Sequence, residues 1–537
     1  MEKRSVINNS RKTSLSPATE EALYGYVPDT EKDFYEALRP VVRLPQPPVG
    51  RIYHVFEQVL RLAVDRKLRH NKIHFAGMFA KIDYLVKEFR ITSQLAIDIN
   101  GARNRIRNVA STAPDELRKA CRYDLKAICE FIHELYPDTA IPAFLAKFFP
   151  EDRLTTVPPR RLMGNRLRVA VGSWDDEYIY GIAEESGEQI KLCYRFDSEY
   201  GMGDWSYLRS LLRNGTQLNV VNPRENDGIV YPELLIYEPD YLVDISSVAA
   251  CFETYAHDAR IHLLNKIKPS VSTDAILLGN FAGQLLDEEV HSENKTYAQS
   301  IKSFFKRNAL GMAACDTLGK QFHENAKQQK QNIRHALKEV LPEEVGSFDS
   351  QSLLLEPSFF CELLGIQGRM DFLQSDYQIL IEQKSGKGAF PPDPDPNTPR
   401  HQERHYVQLL LYRALLHYNF GKQNKEDKAL KRIYTFLLYS KYANSLLELG
   451  NAPRLLFEAF RIRNELVFLE QQYATTDGMR LLERLTPENL NTLHASGRLW
   501  EQYIRPQLNA LLQPIHTATP LQRAYYLRFM AFIETEH

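Results

Sequence analysis

The chain has 537 residues, of which 44% are hydrophobic and 25% are charged, and its formal net charge at pH 7 is −1. This composition is typical of a folded globular protein and excludes wholesale disorder, and the length predicts about three domains. The N-terminal residues lack the apolar core of a signal peptide, and no apolar stretch is long enough to cross a bilayer, so we expect a cytoplasmic protein without a membrane partner.

Residues 1–155 are predicted to form a helical domain. Apolar residues recur there at helical spacing, as in Ile52, Val55, Phe56 and Val59, and similar patterns fill 73–89 and 117–135. Basic residues are also frequent, and they are typical of a solvated helix face, although contact with phosphate groups is the alternative. They are Arg61, Arg66, Lys67, Arg69, Lys72, Arg103, Arg105 and Arg107.

Residues 156–240 are predicted to form a small β-barrel. Strand-like runs cover 167–171, 178–183, 190–194 and 217–221, with turn residues between them. Four aromatic residues in this region could stack on nucleic-acid bases, although packing within the barrel is expected for most of them. They are Trp174, Tyr178, Tyr180 and Tyr194.

The next motif is Gly368-Arg369-Met370-Asp371, followed by a β-prone run and by Glu382-Gln383-Lys384. On a strand, Glu382 and Lys384 share one face because they are two positions apart. Counting back through a three-residue turn pairs Asp371 with about residue 379, so a bulge or bend is predicted to bring the two carboxylates together. Two carboxylates and a lysine around a phosphodiester are typical of a metal-dependent nuclease, whereas the alternative is a solvent-facing hairpin with scattered charges.

A predicted helix follows, in which Gln408 and Tyr412 are four residues apart and therefore lie on one face. Together these motifs resemble the RecB-type branch of the PD-(D/E)xK nuclease superfamily, as found in nuclease–helicases of DNA replication and repair. The resemblance implies a mixed, multidomain α/β fold. It has an oligonucleotide-binding (OB)-like barrel at 156–240, a restriction-endonuclease-like core at 241–450 and a helical region at 451–537. In the relatives a superfamily 1 helicase follows, so a helicase partner in cis or in trans is expected.

The resemblance also implies the site. Asp371, Glu382 and the backbone carbonyl of Gln383 would hold Mg²⁺ or Mn²⁺, Lys384 would be the catalytic lysine, and Gln408 and Tyr412 would shape the site or contact the strand. The family usually adds a histidine from an upstream helix, which matches 278–289 here, but Gly283 stands at its place. Asp287 or Glu288 is the candidate replacement, with a solvated acidic helix face as the alternative. Glu356 resembles a further acidic position of such sites.

Other cofactors are not expected. His401 and His405 have helical spacing, but Gln402 replaces the glutamate that a zinc-protease motif requires. No Walker-type loop occurs, so no nucleotide site is predicted. The six cysteines form no Cys-x-x-Cys pair, and none follows Cys361 to hold an iron–sulfur cluster of the type that some relatives carry. We read them as small buried residues. Residues 389–400, rich in Pro and Asp, are predicted to form a loop that acts as a lid.

The leading hypothesis is therefore a metal-dependent deoxyribonuclease that acts on single-stranded DNA or DNA ends in repair or replication. One alternative is a catalytically inactive nucleic-acid-binding or assembly module, which the glycine at position 283 motivates. Another is a restriction- or defence-type endonuclease on the same core, which would need specific base readout.

Overall fold

The computed structural model describes residues 28–43, 47–71, 77–110, 112–152, 154, 164–195, 204–269, 273–291, 295–316, 318–421, 433–474 and 480–536. The expectation of a mixed, multidomain fold is confirmed at that level, since helices and several sheets are both present. The chain divides into two compact units. The first takes in the described residues up to Cys193 with Leu212–Leu218 and Asn222–Tyr231, and the second takes in Tyr194–Leu211, Asn219–Val221 and Pro232 onward. The finer division into four domains stays a prediction.

The first unit begins with helices that bury one face each. In the helix Val49–Leu68 the buried residues recur every three or four positions, and Pro114–Leu135 starts with a proline and two acidic residues, as helix N-termini favour. Both contribute to one apolar core, to which Phe34, Phe56 and Phe131 belong. The helices are Phe34–Ala37, Arg39–Arg43, Val49–Leu68, Met78–Glu88, Ser93–Arg107, Pro114–Leu135 and Ala143–Ala146, after a 3₁₀ turn at Glu31–Asp33.

The basic residues of this unit are not all a solvated face, and that prediction is wrong for Arg103 and Arg105. Arg103 is buried and donates from Nη1 to Glu184 at 2.8 Å, and Arg105 donates from Nε to the buried Asp124 at 2.9 Å. Arg107 also binds Glu184, at 2.7 Å. These guanidinium groups therefore neutralise internal carboxylates. Lys72 lies outside the described residues.

Strands occupy the four segments that the sequence predicts, at Arg166–Trp174, Tyr178–Ala183, Gln189–Cys193 and Gln217–Val221. The first three pair antiparallel in order, and Ile229–Tyr231 pairs parallel with the third and antiparallel with Arg224–Asn226. Among the described strands of this unit, the pairings form a row of neighbours, and none of these pairings joins the two ends of the row. The OB-like barrel stays a prediction.

Of the four aromatic residues, Tyr194 is fully buried, so its ring cannot stack on a base in this conformation. Tyr180 is 40% exposed. The Tyr178 ring is covered by the Lys191 ammonium at 3.9 Å from its centroid. Only part of the predicted stacking set is therefore accessible.

The second unit is built on a five-stranded sheet with the order Leu353–Leu355, Phe372–Gln374, Ile379–Lys384, Tyr434–Tyr439, Leu446–Glu448. All pairs are antiparallel except Ile379–Lys384 with Tyr434–Tyr439, which is parallel. A second sheet contains Ser358–Cys361, Ile366–Arg369 and Val243–Asp244, and Phe252–Glu253 pairs with Ala256–His257. The strand Leu234–Tyr237 also belongs to this unit.

Helices cover both faces of the five-stranded sheet. The upstream helix, Asp274–Val290, and the helix Lys320–His335 share an apolar core with the sheet, in which Phe281 packs among Phe372 and Phe436. The site helix, Glu403–Phe420, contacts Ile379–Lys384 and Tyr434–Tyr439 and buries a leucine-rich stripe. Two helical layers therefore enclose the central strand, Ile379–Lys384, and its first four residues are buried.

The remaining helices of the second unit come before, between and after these layers in the chain. A separate apolar core joins the last of them, with Trp500 and Leu512 at its centre. Among the described residues, no helix is both long enough and apolar enough to cross a membrane. The six cysteines all lie in the described ranges and form no disulfide, and all but Cys121 are buried. The helices are Ile245–Ala249, Arg260–Ile267, Tyr297–Arg307, Ala309–Ala313, Leu341–Glu344, Pro453–Tyr473, Leu481–Arg484, Pro487–Leu490, Gly497–Leu499, Arg505–Thr517 and Pro520–Glu536, with a 3₁₀ turn at Ser206–Ser210 and π-helical turns at Ala336–Val340 and Trp500–Ile504.

Candidate active site

The motif around Asp371 links the two larger sheets of the second unit. Gly368 and Arg369 end the strand Ile366–Arg369. The next strand along the chain, Phe372–Gln374, belongs to the five-stranded sheet. A Cβ atom at Gly368 would lie 2.8 Å from the Tyr412 ring, so the close approach of the site helix requires glycine at this position. Asp371 therefore lies at the bend between two sheets.

The register of the hairpin differs from the predicted one. Phe372 pairs with Ile381 and Leu373 with Leu380, so Asp371 extends the pairing to the level of Glu382 and no bulge is needed. The count through a three-residue turn was wrong because Tyr377 belongs to the turn, where its φ is +63°, and the strand starts only at Ile379. The Asp371 carboxylate accepts a hydrogen bond from the backbone N–H of Gln383 at 2.7 Å. This bond holds the carboxylate beside the end of the central strand.

Three of the predicted site residues form a closed hydrogen-bonded triangle. The Lys384 ammonium donates to Oε1 of Glu382 at 2.7 Å and to Oε1 of Gln408 at 3.0 Å. The Gln408 amide donates from Nε2 to the same Glu382 oxygen at 2.7 Å. Since residues 382 and 384 share one strand face and Gln408 comes from the site helix, the helix fixes the lysine and the carboxylate together.

Tyr412 lies one turn further along the site helix. Its hydroxyl donates to the Arg369 carbonyl at 2.6 Å, and Nε2 of Gln408 lies 3.4 Å from that hydroxyl. Burial, followed by the charge of Glu382, raises the pKa of Tyr412, so the hydroxyl keeps the proton that it donates. Tyr412 thereby pins the backbone two residues before Asp371.

The two carboxylates are held in an unfavourable electrostatic position. Burial, followed by repulsion from Asp371, raises the pKa of Glu382 to about 7. Burial also raises the pKa of Asp371, and the charge of Lys384 opposes that effect. Oε2 of Glu382 is buried without a hydrogen-bond partner among the described residues. A buried carboxylate oxygen that lacks a donor is costly, and a cation would relieve that cost.

These oxygens suit a hard divalent cation, which prefers carboxylate and carbonyl ligands. Asp287 of the upstream helix faces the same cleft, and its pKa is raised by burial, then by Glu356 and more weakly by Asp371. Within the described ranges, no group of three or more His, Cys, Asp or Glu side chains forms a metal-holding cluster. This is compatible with Mg²⁺, which is commonly bound by one or two carboxylates together with water and substrate phosphates.

The upstream helix is tied to the central strand opposite the site helix. Nε2 of Gln383 donates to the Ala282 carbonyl at 3.1 Å, so Gly283 lies next to this contact and lines the cleft. A Cβ atom at Gly283 would meet no atom within 4 Å. The place where the resemblance expects a histidine is therefore open space, and Glu288 is buried and hydrogen-bonded to Ser300, which turns it away from a ligand role.

The site opens into a cleft of about 790 Å³. Its wall includes Arg307, Lys387, Arg404 and His405, none of which the sequence reasoning assigned to the site. Arg404 and His405 fall in the segment that was considered only as a zinc motif, and their order just before Gln408 was the available signal. The cleft thus presents cations beside its carboxylates, as a phosphate-binding site requires.

His405 is a neutral side chain in this cleft. The hydroxyl of the buried Tyr439 accepts a hydrogen bond from the backbone N–H of Gln402 at 3.0 Å. The same hydroxyl lies 2.8 Å from Nδ1 of His405. A hydroxyl that donates its own proton to Nδ1 uses its donor as well as one acceptor site, so this contact favours the tautomer with the imidazole hydrogen on Nε2. Burial, together with the charges of Lys384 and Arg404, lowers the pKa of His405 to about 3, so the ring is a neutral hydrogen-bond donor.

The segment 389–400 is irregular, as the sequence predicts, and internal contacts hold it. Ala389 donates to the Arg400 carbonyl at 2.7 Å, and the Asp395 carboxylate binds Thr398 and Asn444. Its motion as a lid stays a prediction.

No protein-family model and no curated protein matches this chain.

Proposed function

We propose that this protein is a metal-dependent deoxyribonuclease that hydrolyses phosphodiester bonds of single-stranded DNA or DNA ends. The observation that carries the proposal is the triangle of Glu382, Lys384 and Gln408, of which Lys384, together with Asp371, lines an open cleft that also has cationic walls. Oε2 of Glu382 is buried without a hydrogen-bond partner among the described residues, and a bound cation would satisfy it.

Each residue has a distinct task in this reaction. Asp371 and Glu382, with the Gln383 carbonyl and Asp287, would hold Mg²⁺ or Mn²⁺, which when bound supplies charge stabilisation to the phosphoryl group and activates the attacking water. Lys384 offers its ammonium protons to the phosphate as negative charge develops on it. Gln408 and Tyr412 are positioning residues, because they fix Lys384 and the backbone before Asp371.

The proposal extends to the fold family and the cellular role. The motif order and the site contacts support a RecB-type PD-(D/E)xK core, with an OB-like barrel before it, in a protein of DNA repair or replication. The strands between residues 166 and 231 are compatible with such a barrel. A helicase partner, in cis or in trans, and a cytoplasmic location belong to the same proposal.

A binding or assembly module without catalytic activity is the second candidate function, and one observation favours it. Gly283 leaves empty the position of the expected histidine ligand. Under this alternative the protein binds single-stranded DNA equally well with EDTA and with Mn²⁺ and does not cut it. The third alternative, a restriction-type enzyme, predicts cleavage at a defined sequence.

The test is cleavage of end-labelled linear and circular single-stranded DNA with Mg²⁺, Mn²⁺ or EDTA. We expect metal-dependent cutting by wild type and loss of at least about 100-fold in rate for Lys384→Ala. Lys320→Ala is the matched control, since that lysine side chain is 91% exposed in the same unit. Absence of cutting by folded wild type with either metal would reject the nuclease, and cutting of the circle would identify endonuclease action.

A further inference from the structure

A second hollow adjoins the cleft that contains Lys384. Its volume is about 590 Å³, and its wall shares Gln402 and Arg404 with the cleft. We call it the base hollow, and its distinctive wall residues are Phe390, His401 and Tyr406. Because the two spaces share a wall, one extended chain can occupy both.

The base hollow presents aromatic rings to solvent. Phe390 is 78% exposed, which is unusual for so apolar a side chain, and His401 packs edge-on against Tyr406 with centroids 5.2 Å apart. Such rings are the platforms on which unpaired bases stack. An exposed phenylalanine beside a charged cleft is therefore suited to a ligand that has both a flat ring and an anionic group.

The segment that carries Phe390 is held in place before any ligand arrives. Residues 389 and 400 are joined by a backbone hydrogen bond, and the Arg400 side chain donates to the Pro391 carbonyl at 3.1 Å. A Cβ atom at Gly388 would lie 2.6 Å from the Arg400 carbonyl, so the two ends of the segment are in close contact. Stacking on a side chain whose backbone is already positioned costs less ordering entropy than stacking on one in a disordered segment.

Arg404 stands on the shared wall with a fixed orientation. Its Nε donates to Gln402 at 2.8 Å, and its Nη1 lies 3.5 Å from a Glu253 oxygen. The side chain remains 41% exposed, so guanidinium protons stay available to a phosphate. A phosphate at Arg404 would be the link between a nucleotide in the cleft and its neighbour in the base hollow.

We propose that the base hollow binds one unpaired nucleobase of the DNA strand whose phosphate lies at Lys384, with Phe390 as the stacking surface and Arg404 on the intervening phosphate. The inference rests on the proposed nuclease function and gives it a substrate class. A base inside a duplex is stacked and paired, so it cannot enter the hollow without being extruded. Single strands are therefore preferred over duplexes.

The experiment compares Phe390→Ala with Phe360→Ala, a matched control in which the replaced ring is 58% exposed in the same unit but lies outside both spaces. The substrates are a single-stranded oligonucleotide and a series that carries one abasic nucleotide at successive positions around the cleavage point. We expect Phe390→Ala to raise KM about tenfold on the intact strand while kcat changes less than twofold. At one abasic position the KM of wild type should rise to that of the variant, and the variant should lose nothing further.

Four outcomes separate the two proposals. An unchanged KM for Phe390→Ala, or an equal penalty from this substitution at every abasic position, overturns the base hollow while leaving the nuclease intact. If wild type does not cut, fluorescence anisotropy with the same oligonucleotides in EDTA measures affinity directly. A tenfold weaker Kd for Phe390→Ala that vanishes at one abasic position then supports the hollow without the nuclease, and an unchanged Kd rejects it.

Discussion

Replacing Glu382 by glutamine tests whether the folded protein holds an unfavourable carboxylate in readiness for a cation. Burial and the nearby Asp371 raise the pKa of Glu382 from 4.5 to about 7. A carboxyl group with a raised folded pKa contributes stability below its unfolded pKa, and that stability is lost as pH rises through the folded pKa. Ionised Glu382 therefore lowers the free energy of unfolding at pH 8 relative to pH 5, with an upper bound of about 3 kcal/mol.

Glutamine cannot ionise, so the Glu382→Gln variant should escape this loss. Relative to wild type, its unfolding midpoint should rise by up to about 3 °C more at pH 8 than at pH 5, measured by differential scanning calorimetry of the full chain. Taking the difference between two pH values cancels the titrating groups that do not interact with Glu382 and any pH-independent change in packing. Glu324→Gln is the control, because that side chain is 53% exposed and its ion-pair partner is Lys320, which keeps its charge between pH 5 and pH 8, so no such pH-dependent gain is expected.

The same variant reports metal binding without relying on activity. A ligand that binds only the folded state stabilises it by mass action, so Mn²⁺ should raise the midpoint of wild type at pH 8. The rise should be absent in Glu382→Gln, which should also fail to cut DNA. An equal change in unfolding midpoint at pH 5 and pH 8 would show that ionised Glu382 does not destabilise the fold. Equal stabilisation of both proteins by Mn²⁺ would show that Glu382 is not a metal ligand.

Substitutions at four further positions test other parts of the structure. Gln408→Ala frees Lys384 and should lower the single-turnover rate about 100-fold at unchanged substrate affinity; an unaltered rate contradicts its positioning role. Gly283→His places an imidazole ring in open space, where it can act as a further metal ligand. The Mn²⁺ concentration that gives half-maximal activity should then fall about tenfold, and an unchanged concentration argues against a ligand position there. His405→Leu should cost about tenfold in kcat/KM and His405→Gln, which keeps a donor, much less; equal losses would reject donation from Nε2. Arg463→Met removes donors from four backbone carbonyls and should lower the free energy of unfolding in urea by about 3 kcal/mol or more, and a loss below about 1 kcal/mol would show that water replaces them.

The local geometry of the candidate site was predictable because it depends on short-range periodicity. Glu382 and Lys384 lie on one strand face, and Gln408 and Tyr412 on one helix face, as the spacings of two and four residues predict. The strands between residues 166 and 221 and the irregular segment 389–400 follow from residue type in the same way. The catalytic roles of these residues stay predictions.

The position of Asp371 was not predictable by counting, because the first strand runs on to Gln374 and the turn includes Tyr377, which together change the register. Tyr377 adopts a left-handed conformation that a bulky side chain seldom takes, so the sequence favoured a strand there. The burial of Arg103 was equally hidden, since its partner Glu184 is 81 residues away. Charge patterns along a helix do not reveal which carboxylate a distant strand will bring near.

The sequence by itself determined the order of helices and strands and the residues that share a face, since backbone conformation responds to neighbours a few positions apart. Tertiary structure alone decided the electrostatics and the openness of the site. The raised pKa of Glu382, the unpaired oxygen on its carboxylate, the empty space beside Gly283 and the exposed ring of Phe390 all depend on segments far apart in the chain. The burial of a side chain and the electrostatic potential at it depend on all the groups packed around it. These groups come from several segments, so no single stretch of sequence determines them.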